Sequence, residues 1–70
     1  MDIMRGQIVT VRAYPRERLT RRVVDVQSVM ILVTTEEEWH NSVTQKRQPI
    51  CIGFPTKDVI KVEKPANMPI

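Results

Sequence analysis

Apolar and polar positions alternate with a period of two along most of the chain. Between Gly6 and Tyr14, Val9, Val11 and Ala13 fall on one face and Thr10 and Arg12 on the other, flanked by Ile8. Alternation this rich in β-branched residues predicts a half-buried strand. Pro15 ends it, because proline offers no N–H to a ladder, and the polar stretch from Pro15 to Leu19 reads as a loop. Strand character resumes from Thr20 to Gln27, with Val24 and Val26 on one face and Val23, Asp25 and Gln27 on the other. The next run, Val29 to Thr35, is apolar on both faces, as in a strand covered on both sides. Gln27 and Ser28 are the expected turn between these two strands.

The segment from Thr35 to Gln48 has no such rhythm. Thr35 and Glu38 have capping-box spacing, and Glu36, Glu37 and Glu38 would favour a helix start. Asn41, Ser42, Val43 and Thr44 are poor helix formers, however. The expectation is a turn, with room for one helical turn, followed by an irregular or weakly extended segment that reaches Gln48. Alternation returns at Pro49, with Ile50, Ile52 and Phe54 sharing a face. Pro55 to Asp58 reads as a turn that accommodates one turn of 3₁₀-helix, and Val59 to Glu63 as a last strand with Ile60 and Val62 inward. Five short strands with no convincing helix predict an all-β fold. Curling into a small five-stranded barrel would hide its edges. Val9, Val11, Val24, Val26, Ile31, Ile52 and Ile60 would meet inside, with Met30 as core filler. The expected organisation is a flexible stretch over residues 1–5, the barrel over residues 6–63 and a Pro-bearing tail over residues 64–70.

Seventy residues allow one domain with a marginal core. The longest apolar run is far too short to cross a bilayer, no basic-then-apolar leader opens the chain and Cys51 stands alone. A cytoplasmic protein without a membrane partner is therefore expected. The net charge of +3 is unevenly spread. Arg5, Arg12, Arg16, Arg18, Arg21 and Arg22 oppose only Asp2 and Glu17 in the first part, whereas Val23 to Gln45 carries four acids and no Lys or Arg. This predicts separate basic and acidic surfaces unless the charges pair across neighbouring strands.

The order of elements resembles the SH3-like small barrel. The resemblance rests on a strand opened by Gly6, a Pro-containing polar loop, two strands in hairpin, a fourth strand, and "GFPTKDVIKV" from Gly53 to Val62. SH3 domains have a similar Gly- and Pro-bearing stretch whose 3₁₀ turn leads into the last strand, and "RGQIVTVR" is also similar to the opening of KOW and Tudor barrels. The resemblance implies the fold and not the binding of PxxP peptides. Asp58 stands where peptide-binding SH3 domains carry a tyrosine, and the first loop is basic where theirs is acidic.

Candidate chemistry is sparse. His40 and Cys51 are the sole histidine and cysteine, and neither has the partners of a nucleophile-plus-base set or a soft metal site. No catalytic residue, metal or cofactor is therefore expected; Cys51 reads as a buried thiol inside a strand. Two partner classes remain. One is nucleic acid, with Arg12, Arg16, Arg18, Arg21 and Arg22 neutralising phosphates, Lys46 and Arg47 extending the patch and Tyr14 stacking. The other is a protein partner or a homodimer, docking near Tyr14 and Trp39 or through an edge strand. A basic surface that only solvates the domain is the bland counterpart of both, with the arginine stems covering apolar edges.

Overall fold

The computed structural model describes residues 3–63; the expected tail over residues 64–70 lies outside them. The elements are β1 (Ile8–Ala13), β2 (Glu17–Val26), β3 (Met30–Thr34), α1 (Glu36–Thr44), β4 (Ile52–Pro55), a 3₁₀ turn (Thr56–Asp58) and β5 (Val59–Glu63). The strands form one antiparallel sheet in the order β4-β3-β2-β1-β5. Among the described residues β4 and β5 are its two edges and share no ladder, so the sheet is open where a closed barrel was expected. Among the described residues no helix is long and apolar enough to cross a membrane.

β2 organises the sheet. Its first part pairs with β1 and its second with β3, and Arg22 sits opposite both Ile8 and Thr34. The loop expected over Pro15 to Leu19 contracts to a turn at 14–16 with a cis Tyr14–Pro15 peptide. Glu17, Arg18 and Leu19 join β2 opposite Ala13, Arg12 and Val11. The reason is Leu19, an apolar residue beside Val11 that packs on the core and draws the strand start forward. Ahead of β1, Ile3 also packs against the core, and the Gly6 N–H donates to Val23 O at 2.9 Å. Gly6 has φ +90°, a backbone state most side chains avoid.

The core is Val9, Val11, Val23, Ile31, Val33 and Val59, with Leu19, Phe54 and Val62 against it. Val24 is also buried, but Val26, Ile52, Ile60 and Met30 are exposed, contrary to the alternation. Two register shifts explain most of this. Between Val23 and Asp25 the β2–β3 ladder slips, so Val23 and Val24 are both buried and Val26 falls at the exposed strand end. Opposite Thr10 and Val11 the β5 partner jumps from Lys61 to Val59, so Ile60 is the extra residue of a bulge and Val59 takes the inward place. Ile52 opens an edge strand with a neighbour on one side only, and Met30 opens β3.

The segment after β3 is a nine-residue helix, not the irregular stretch expected. Thr35 is its N-cap, and its hydroxyl accepts from the Glu38 N–H at 3.1 Å. Three carboxylates fill the first turn, where the helix dipole favours them. The far end closes with Lys46 N–H to Val43 O and Arg47 N–H to Ser42 O, with Lys46 in the left-handed region at φ 53°. Capping at both ends outweighs the weak propensities between them, and Ser42 is the one residue of the helix that is fully buried.

Candidate functional site

The arginines divide into two groups by what holds them. Arg12 and Arg18 face each other directly across the β1–β2 hairpin. Both are exposed, and Arg16 lies in the turn beyond them beside Tyr14, whose side chain is 96% exposed. Among the described residues no ion pair engages Arg12, Arg16 or Arg18. The same outward face continues along the ladder through Thr10 and Thr20, with Lys61 of β5 opposite Thr10.

Arg22 belongs to a different arrangement. Its Nε and Nη2 donate to the two Glu36 carboxylate oxygens at 2.5 Å, and its Nη1 donates to Gly6 O at 2.8 Å. The guanidinium carbons of Arg22 and Arg5 each lie 5.4 Å from the centroid of the Trp39 ring, within cation–π range. Arg5 also donates to Val24 O at 2.6 Å. The Arg22 hydrogen bonds, with a smaller contribution from His40 at 3.7 Å, hold the Glu36 carboxyl below the usual carboxylate range. Arg21 is half-buried, opposite Val9, and donates to Thr20 O at 2.8 Å.

Arg47 is engaged as well. It donates to both Glu38 oxygens, at 2.6 and 3.2 Å, and to Gln45 and Gln48. Glu38 Oε2 also accepts from the Ile50 N–H at 2.8 Å, tying the helix to the segment that enters β4. The Arg47 guanidinium, with the Ile50 N–H beside it, holds the Glu38 carboxyl down to about 2 from an ordinary 4.5. A depressed carboxyl contributes stability above its unfolded pKa, and that contribution is lost as pH falls through the folded value. The helix-to-β4 link is therefore expected to persist through pH 4 and to weaken only towards pH 2. Carbon-detected NMR titration of Glu38 should give a midpoint near 2, and Arg47→Ala should return it most of the way to 4.5. A midpoint near 4.5 in the unmodified chain would refute the assignment.

The structure thus brings Arg12, Tyr14, Arg16 and Arg18 to one hairpin end and places Arg22 and Arg47 on acidic partners. It does not bring Tyr14 and Trp39 together. Five ladder steps, roughly 17 Å at the usual strand rise, separate the Ile8–Arg22 pair beside Trp39 from the Ala13–Glu17 pair beside the turn. Trp39 itself is half-buried. Cys51 precedes β4 and is half-buried, where a thiol buried inside a strand was expected. Among the described residues no group of three His, Cys, Asp or Glu is arranged to hold a metal. Sequence reasoning missed the arrangement of Trp39 with Arg5 and Arg22. The capping spacing of Thr35 and Glu38 was its one available sign, because only a helix carries Glu36 and Trp39 back over β2. No family model, curated protein or solved structure matches the chain.

Proposed function

We propose that this chain is a small non-catalytic module of SH3-like build that binds the backbone of nucleic acid through the end of the β1–β2 hairpin. The strand order, the 3₁₀ turn before β5 and the return of β5 beside β1 support the SH3-like reading. One observation carries the functional reading: Arg12 and Arg18 are directly opposed, with no acid among the described residues paired to either. Like charges set directly across a ladder destabilise it. Arg22 and Arg47 are neutralised by Glu36 and Glu38, and a directly opposed pair without such a partner marks a place where local stability yields to another demand. Guanidinium groups contact phosphates in bidentate fashion. Tyr14, standing free at the tip, supplies the stacking surface that single-stranded nucleic acid uses. Arg16 adds a third cation, and Lys61 lies further along the same face.

The test is an anisotropy titration of a labelled, generic single-stranded oligonucleotide at low ionic strength. Three phosphate contacts predict that log K falls with log salt with a slope of about −2. The triple variant Arg12→Ala, Arg16→Ala, Arg18→Ala should lose binding more than tenfold, and Tyr14→Ala should lose roughly tenfold, the usual size of one stacking contact. Arg47→Ala, whose cation is already held by Glu38, should change little. No anisotropy change at low salt would end the proposal.

A further inference from the structure

We propose that the open cavity lined by Arg21, Val33, Ile50 and Ile52 binds a small carboxylate carried on an apolar group. This goes beyond the nucleic-acid reading and does not rest on it. Arg21 shares its side of β2 with Leu19 and Val23, the side that packs on the core, whereas Arg12 and Arg18 lie on the other side of the sheet.

The cavity lies where the sheet gives way to the helix. β3 stops at Thr34, whose neighbour on β2 is Arg22, so Arg21 has no β3 partner. The chain leaves the sheet there to cap α1 at Thr35. A cavity of about 330 Å³ remains at this point, within the range of small-molecule sites. Val33, fully buried, lines it together with Ile50 and Ile52, which are 77% and 57% exposed. Arg21, Thr35 and Glu38 bring polar groups to the same lining.

Charge decides what the cavity takes. Glu38 is spent, because Arg47 donates to both its oxygens and the Ile50 N–H donates to one of them. Arg21 is not spent. Its Nη1 donates to the neighbouring Thr20 O, and among the described residues it forms no ion pair. What is left over is one guanidinium, half-buried beside aliphatic side chains. A carboxylate answers it with two parallel hydrogen bonds from Nε and Nη2, the geometry in which Arg22 takes Glu36. Apolar walls keep water from part of that pair and strengthen it. The Thr35 hydroxyl accepts from the Glu38 N–H and keeps its own proton to donate. Val33, Ile50 and Ile52 then select a ligand whose apolar part adjoins its carboxylate. Phosphate brings the charge without that part, and an alkylamine brings that part with the wrong charge.

The probe is isocaproate, titrated into the isotopically labelled full chain and followed by NMR. Saturable shifts are expected at the Val33, Thr35, Ile50 and Ile52 amides and at the Arg21 Nε–H. The dissociation constant should be about 1 mM, the strength open to a ligand of so few atoms. Arg21→Gln should weaken binding about tenfold or more. Ile50→Ser, at a position already exposed, should weaken it several-fold with the rest of the spectrum unchanged. Isoamylamine and inorganic phosphate should give no saturable shift at these positions. A tripeptide ending in leucine, with its terminal carboxylate intact or amidated, separates the two sources of this chemistry. Tighter binding of the intact peptide than of isocaproate supports the proposal with a chain terminus as the ligand, and weaker binding supports it with a free acid. No saturable shift from either carboxylate would overturn it, as would equal shifts from the amine or from phosphate. Arg21→Gln keeps Arg12, Tyr14, Arg16 and Arg18, so its oligonucleotide titration separates failure here from failure of the functional reading.

Discussion

Ile31→Ala is expected to leave most of the chain unfolded at 37 °C. Ile31 heads the largest side chains that are fully buried, and it sits at the centre of the cluster formed by Val9, Val11, Val23, Val33 and Val59. Its ladder partners are Val26 on β2 and Phe54 on β4, so it touches the core from the middle of the sheet. Truncating a buried isoleucine to alanine costs about 2–5 kcal/mol, through lost transfer energy and the cavity left behind. A core of this size rarely supplies more than about 3–5 kcal/mol in total, so the loss is comparable to the whole stability. Ile31→Val removes a single methylene and should cost about 1 kcal/mol, leaving a folded protein with a lower urea midpoint. Far-UV circular dichroism and urea titration of the three proteins test this. If Ile31→Ala keeps its midpoint within the loss seen for Ile31→Val, the assigned core is wrong.

The second large effect is expected at Arg22. Its guanidinium joins three separate parts of the chain: Glu36 at the start of α1, Gly6 ahead of β1, and the ring of Trp39. Its side chain is only 15% exposed, so solvent competes weakly for these contacts. A charge-assisted hydrogen bond is worth about 1.5–3 kcal/mol and a cation–π contact about 0.5–1 kcal/mol at an exposed site. Their sum overstates the loss, because the groups released regain water. A loss of about 2 kcal/mol is the expected result for Arg22→Ala. Arg22→Lys should recover little, since an ammonium cannot reproduce the paired donors. Glu36→Ala should cost less, because that carboxylate is half exposed and water replaces its partner. The chain has one tryptophan, so Trp39 emission reports on the same arrangement directly. Arg22→Ala should shift that emission towards the solvent-exposed value, and Arg18→Ala should not. An unmoved Trp39 spectrum in Arg22→Ala would show that the helix is held to the sheet by other means.

The two effects bear on different levels of the structure. Ile31 tests whether the sheet closes over one core, and Arg22 tests what fastens the helix and the N-terminal segment to that sheet. Neither touches the opposed Arg12 and Arg18, so both can fail without removing the proposed binding surface.

Several parts of the fold are legible in the chain itself. Val9 and Val11 alternate with Thr10 and Arg12, and both valines are buried. The Pro55 to Asp58 stretch contains the 3₁₀ turn, because proline presets its entry and polar residues follow. The five extended segments and their antiparallel succession follow from short, turn-punctuated runs of β-branched residues. The inward side was not legible past a bulge. A single inserted residue reverses the phase of alternation, which is why Ile60 was expected inside and Val59 takes its place. The helix was not legible either. Its propensities are weak, and the local caps at its ends are sustained by the grip of Arg22 on Glu36 and of Arg47 on Glu38, contacts that reach beyond the helix itself.

The candidate site divides in the same way. That Arg12, Arg16 and Arg18 lie close together follows from local alternation around one turn. Which arginines remain unpaired does not follow from sequence, because a guanidinium's availability depends on whether a carboxylate reaches it. What the sequence by itself determined is local: strand runs, turn positions and the concentration of positive charge in the first part of the chain, each set by interactions among near neighbours. The tertiary structure alone decided the register, the open edges and the pairing of charges. Those depend on which distant segments meet, and a slip of one residue exchanges inside for outside.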